Sequence, residues 1–172
     1  RIKCVHLFTF KSSKKNYLYR YIIEAEVFDI EFIAIKFYQK NHKLSKKKYQ
    51  TLTNANEVRN IVNSCLQVIP ILLQIYPNHS FGAVGSRAIS EDEKFESEKK
   101  NQRFVIYRAI MLKKFKEDKR FAFVESEDNS AFAIINLSKL VRIEDLEFYV
   151  VDKYNEILDC MVEIYNEIHY PE

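Results

Sequence analysis

Between residues 55 and 76 the apolar side chains Val58, Ile61, Val62, Cys65, Leu66, Ile69, Leu72, Leu73 and Tyr76 recur at steps of three and four. That spacing is the period of a helix with one buried face. Pro70 falls inside it, and its missing backbone donor predicts a kink or a division into two helices. The same period returns over residues 146–168, where Tyr154, Ile157, Leu158, Met161, Ile164, Tyr165 and Ile168 form a stripe and the opposite face is acidic. A third helical pattern covers 101–116. Runs rich in aromatic and β-branched residues at 17–26 and 30–38, parted by Phe28 and Asp29, predict an antiparallel pair. A short strand is expected at 49–52, with Thr53 and Asn54 as helix caps. Residues 121–125 and 131–137 flank Glu127, Asp128, Asn129 and Ser130, which is hairpin composition.

The chain's only two glycines, Gly82 and Gly85, both fall in the apolar run Phe81-Gly82-Ala83-Val84-Gly85. They mark either a turn between helix and strand or a strand that another backbone or a ligand approaches closely. Residues 90–101 are polar apart from Phe95 and are expected to form a surface connection. The resulting order is β-β-(β)-α-β-α-β-β-α. This is an α/β or α+β layout, with a mixed, mostly antiparallel sheet covered by helices.

At 172 residues the chain fits one domain, residues 1–172, with a substantial core. Hydrophobic residues make up 47% and charged residues 30%, which is globular usage, and no apolar run reaches the roughly 18 residues of a membrane span. Cys4, Cys65 and Cys160 lack paired spacing and are expected to be reduced core residues of a cytoplasmic protein. The net charge of +3 hides an asymmetry. Residues 1–60 hold thirteen Lys and Arg against five acids, whereas residues 61–172 hold fourteen against nineteen. The basic half therefore meets either an acidic partner or the acidic C-terminal part of its own fold.

Candidate chemistry is sparse. Lys36, Lys40, Lys43, Lys46, Lys47 and Lys48, near Tyr38 and Tyr49, combine cations with rings as single-strand nucleic-acid binding requires, although a lysine-rich loop also serves simply as a solvated surface. Arg87, Arg103 and Arg108 are candidates for an anion site, since guanidinium binds phosphate or carboxylate with two donors; the alternative is a solvated helix face. Tyr107 is a candidate general acid if its hydroxyl points into a cleft beside the glycine strand, and otherwise a core tyrosine. His6, His42, His79 and His169 have no ligand spacing, so no metal site is expected. No nucleophile elbow or phosphate loop is present in the sequence.

The element order over roughly residues 17–137 resembles that of the acetyl-coenzyme A dependent N-acyltransferase superfamily. Gln50-Thr51-Leu52-Thr53-Asn54-Ala55 is similar to that family's Q-x-x-G-x-A pyrophosphate loop, with Thr53 in the place of the glycine. Tyr107 stands where the family often carries a helix tyrosine. The resemblance implies acetyl-coenzyme A as cofactor, held by Gln50, Thr53, Asn54 and Ala55, with Tyr107 as acid. The stretches around Phe81, Gln102 and Ser130 also resemble those of small proteins from Bacteroidetes-type bacteria, a likeness that implies no function. Together these readings lead to a cytoplasmic binding or regulatory protein on an acyltransferase-like scaffold without catalysis or a cofactor. The alternatives are an active N-acyltransferase and a nucleic-acid-binding protein using loop 40–48. A protein partner or a homo-oligomer is compatible with each, and no membrane is expected.

Overall fold

A computed structural model of the chain describes residues 1–11, 20–50, 57–86 and 101–170. Its centre is one six-stranded sheet in the order β1-β2-β3-β4-β6-β5, built from β1 (Ile2–Lys11), β2 (Arg20–Phe28), β3 (Phe32–Gln39), β4 (Ser80–Val84), β5 (Phe121–Ser126) and β6 (Ala131–Asn136). All neighbours are antiparallel except β3 and β4, which run parallel. A parallel neighbour needs a crossover, and α1 (Val58–Ile75) supplies it. The remaining helices are α2 (Gln102–Phe115) and α3 (Leu146–His169). The mixed sheet and the order of elements agree with the pattern of the sequence.

Alternation along the strands divides the apolar side chains between two cores. Tyr21, Ile23, Ala25, Val27, Ile33, Phe81, Phe132 and Ile134 face α1 and α2, while Ile22, Phe28, Phe32, Ala34, Val84, Ala133 and Ile135 face α3. α1 buries Ile61, Val62, Cys65, Leu66, Val68, Ile69 and Leu72, so this apolar helix fills a core. Pro70 lies on its exposed side, and the helix is continuous from Val58 to Ile75 rather than divided. A proline there costs one backbone bond but causes no clash with the core.

One strand is added to the expected elements, and two further expectations need correction. β1 is an added edge strand, not foreseen because its apolar residues alternate only in part, with Val5 and Leu7 about half exposed. Tyr49 and Gln50 lie in a turn rather than a strand, their segment being folded back by Lys47 O, which accepts from Gln50 N. Cys65 and Cys160 are buried, but Cys4 is exposed because it sits on the edge strand.

Both glycines answer to close approach. Neither has a positive φ. A Cβ on Gly82 would lie 2.8 Å from the Phe32 ring and 3.1 Å from Phe132 O, and one on Gly85 would lie 2.7 Å from both Asn101 Oδ1 and Phe104 N. Asn101 thereby caps α2: its Oδ1 accepts from Phe104 N at 2.9 Å, and its Nδ2 donates to Gly85 O. Gly85 N donates in turn to the carbonyl of Ser130, which takes the left-handed conformation (φ 46°) at the hairpin.

Candidate functional site: a cavity at the parallel strand pair

β3 and β4 are paired only through Phe32↔Ser80, Ile33↔Phe81 and Ala34↔Gly82. Beyond that point both strands continue but no longer pair, and a cavity of about 60 Å³ lies between Ile35, Lys36 and Phe37 on one side and Ala83 and Val84 on the other. α1 and α2 close one end with Cys65, Met111 and Tyr107, and the other end is bounded by Tyr49, Ser86, Arg103 and Ile168. Such a volume holds a few waters or one small organic group.

The end formed by α1 and α2 is apolar in character. Burial pushes the Cys65 thiol up to about 12, so it is a neutral wall group. Tyr107 is 5% exposed, its ring edge-on to Phe37 with centroids 5.9 Å apart, and burial raises its phenol well above the ordinary range. The phenol therefore holds its proton tightly. At the other end Arg103 Nη1 donates to Tyr49 O at 2.5 Å and to Ser86 Oγ, while Ser86 Oγ donates to Tyr49 O at 2.7 Å. These bonds tie α2 to the loop after β3.

Beside this end lies a charge network on the α3 face of the sheet, with Lys36 buried and Glu167 half-exposed. Lys36 Nζ, its side chain 2% exposed, is 2.7 Å from Glu26 Oε1 and 2.8 Å from Glu167 Oε2 of α3. Glu24, one pleat along β2 from Glu26, accepts from Lys48 Nζ at 3.3 Å and from the Tyr49 hydroxyl. The two carboxyls are driven in opposite directions. Burial dominates at Glu26 and raises it despite Lys36, whereas at Glu24 the bonds from Tyr49, Lys48 and Tyr38 together outweigh burial and lower it. Tyr38 is pushed up to about 12 by burial and by Glu24.

The residues singled out in the sequence fall into three places. Tyr107 and Arg103 line the cavity. Gln50 is buried, and its Nε2 donates to Ile168 O at 2.5 Å, so it pins the loop to the last turn of α3. Thr53, Asn54, Ala55 and Arg87 lie outside the described residues. Arg108 does not join Arg103: five positions on along a helix of 3.6 residues per turn it points elsewhere, and it grips Glu125 through Nε and through Nη2 at 3.0 Å. An anion site shared by Arg103 and Arg108 is therefore not formed.

Of the loop lysines, Lys43, Lys46 and Lys48 border a surface groove with Asn166, Glu167 and Tyr170. Lys48 is committed to Glu24 and lies over the rings of Tyr38 and Tyr49 at 4.5 and 4.7 Å. Lys47 is exposed at the loop's outer side. Tyr38 and Tyr49 are only 3% and 7% exposed, so the two rings expected to stack on bases are enclosed. Lys36 was expected as one of the cations near Tyr38 and Tyr49 rather than buried against acids; Ser86 carries no distinguishing signal in the sequence, and Glu24 and Glu26 were not foreseen. The register Glu24↔Lys36, charged residues inside two apolar strands, is the signal that could have found them. Among the described residues no group of three or more His, Cys, Asp or Glu is placed to hold a metal ion. Compared with family models, curated proteins and solved structures, the chain has no significant match.

Proposed function

We propose that the protein is a non-catalytic binding protein on an acyltransferase-like scaffold, taking a small apolar group, of the size of a short acyl chain, into the cavity between β3 and β4. The observation that carries this reading is the early end of the parallel pairing: two strands that stay in one sheet separate around a lined space instead of closing it. Apolar pockets with a few convergent polar groups are the usual form of small-ligand sites. Lack of catalysis is supported by Tyr107, since a general acid works best with a pKa near the operating pH and burial moves this phenol away from it. Thr53, where the resembled loop has glycine, supports the same conclusion because a side chain there opposes backbone wrapping of a pyrophosphate.

The chain's two methionines supply the test. Met111 lines the cavity, and Met161 lies in the other core, under α3. With methyl-labelled methionine, titration with acetamide, butyramide and butyrate is expected to shift the Met111 signal and leave Met161 in place. No Met111 shift with any of the three rejects the cavity as a ligand site. Acetyl-coenzyme A is expected to bind very weakly, and transfer of its acetyl group to an amine would overturn the non-catalytic reading.

A further inference from the structure

On the far edge of the sheet, Cys4 and His6 are alternate residues of β1 and point to the side that α1 covers. Tyr76, which ends α1, reaches back to them across some 70 positions of sequence. Its hydroxyl lies 2.9 Å from His6 Nε2 and 3.3 Å from Cys4 Sγ, and Cys4 Sγ is 3.7 Å from His6 Nε2. Cys4 is exposed, whereas Cys65 and Cys160 are buried.

We propose that Cys4, His6 and Tyr76 form a reactive-thiol site, in which Cys4 is the nucleophile toward soft electrophiles, His6 takes the thiol proton, and Tyr76 donates a hydrogen bond to the thiolate. The thiolate is the nucleophilic form, and an adjacent base is the usual means of raising its share at neutral pH. Two groups, His6 of the same strand and Tyr76 at the end of α1, converge on one exposed sulfur, which gives it both a base and a donor. Contact with Cys4 holds the Tyr76 hydroxyl above its ordinary range, so Tyr76 keeps the proton it donates. Behind it the His79 ring lies 4.9 Å from the Tyr76 ring and is kept toward its neutral form by burial, with Glu31, Lys3 and Lys139 as the charges acting on it.

Iodoacetamide is the probe. Sγ attacks the methylene carbon, the S–C bond forms as the C–I bond breaks, iodide leaves, and the thiol proton passes to His6 Nε2 and then to solvent. On the folded protein at pH 7, peptide mass mapping is expected to find Cys4 alkylated first, about tenfold faster than in a synthetic peptide of residues 1–11, because a free cysteine there is only a few per cent thiolate. His6→Gln is expected to slow the reaction about fivefold or more, because the thiol loses its neighbouring base. Tyr76→Phe keeps the ring contacts and loses the donor, so its rate falls by a smaller factor. Slowing in the first variant carries the base role and slowing in the second carries the donor role. A rate in the folded protein no higher than that of the peptide overturns the proposal, as does an unchanged rate in both variants.

Discussion

Lys36 Nζ lies 2.8 Å from Glu167 Oε2, joining a buried lysine of the basic half of the chain to a half-exposed carboxylate of its acidic last helix. The opposite charges of the two halves are thus met in part within one molecule. The same ammonium serves Glu26 at 2.7 Å, and with 2% of its side chain exposed it gains little from water. Removing one member of such a group leaves a buried charge without compensation, which typically costs about 3 to 5 kcal/mol. Lys36→Met is therefore expected to lower the urea midpoint by that equivalent, and the double variant Lys36→Met with Glu26→Leu to recover much of it. Equal midpoints for the single and double variants would show that Glu26 does not depend on Lys36.

Glu24 and Glu26 should give opposite signatures in pH. Glu24 is lowered below the ordinary glutamate value of 4.5, so the stability it contributes is present above that value and is lost as pH falls through its folded pKa. Glu26 is raised above 4.5, so as pH rises past that value the unfolded chain releases its proton first and stability falls until the folded pKa is passed. Measured by urea unfolding between pH 4 and 8, Glu26→Gln is expected to gain on the wild type as pH rises, and Glu24→Gln to lose on it. Parallel curves for the two variants would contradict the assignment.

Substituting the glycines tests the close approaches. The Gly82→Ala methyl meets the Phe32 ring, which can shift, so a cost of about 1 to 3 kcal/mol is expected. Gly85→Ala meets Phe104 N and the capping Asn101 at 2.7 Å, where backbone must move, so it is expected to cost more. Denaturant midpoints that rank the two in reverse order would place the rigid contact at Gly82.

α3 is held by packing more than by charge. Ile157 and Met161 are 1% and 3% exposed, and truncating such side chains costs about 2 to 5 kcal/mol, whereas exposed Glu163→Gln is expected to change little. Urea unfolding of Ile157→Ala checks this, and an unchanged midpoint would mean that α3 is dispensable to the fold.

The helical stripes and the hairpin were legible because burial on one face imposes a period that survives in the sequence. Val58 to Tyr76 and Tyr154 to Ile168 show it directly. β1 was not legible: an edge strand buries little, so Val5 and Leu7 carry no pattern that distinguishes a strand from a loop. Tyr107 and Arg103 were found by residue type, but the cavity they line depends on where the pairing of β3 with β4 stops, a property of two strands more than 40 residues apart. Lys36 illustrates the same limit: its place in a strand is legible, but its burial against Glu26 and Glu167 depends on how β2, β3 and α3 come together.

Three rungs between β3 and β4 also make the sheet two plates joined at a seam. β1, β2 and β3 form a meander of near neighbours, and β4, β6 and β5 form a second antiparallel unit, with the crossover through α1 as their covalent tie. Opening along the seam breaks few backbone bonds compared with opening either plate. Hydrogen exchange should therefore divide the molecule there, each plate protected as its own cooperative unit, with the amides that bond β3 to β4 exchanging ahead of both. Because the cavity lies along this seam, a molecule occupying it would change how readily the two plates part.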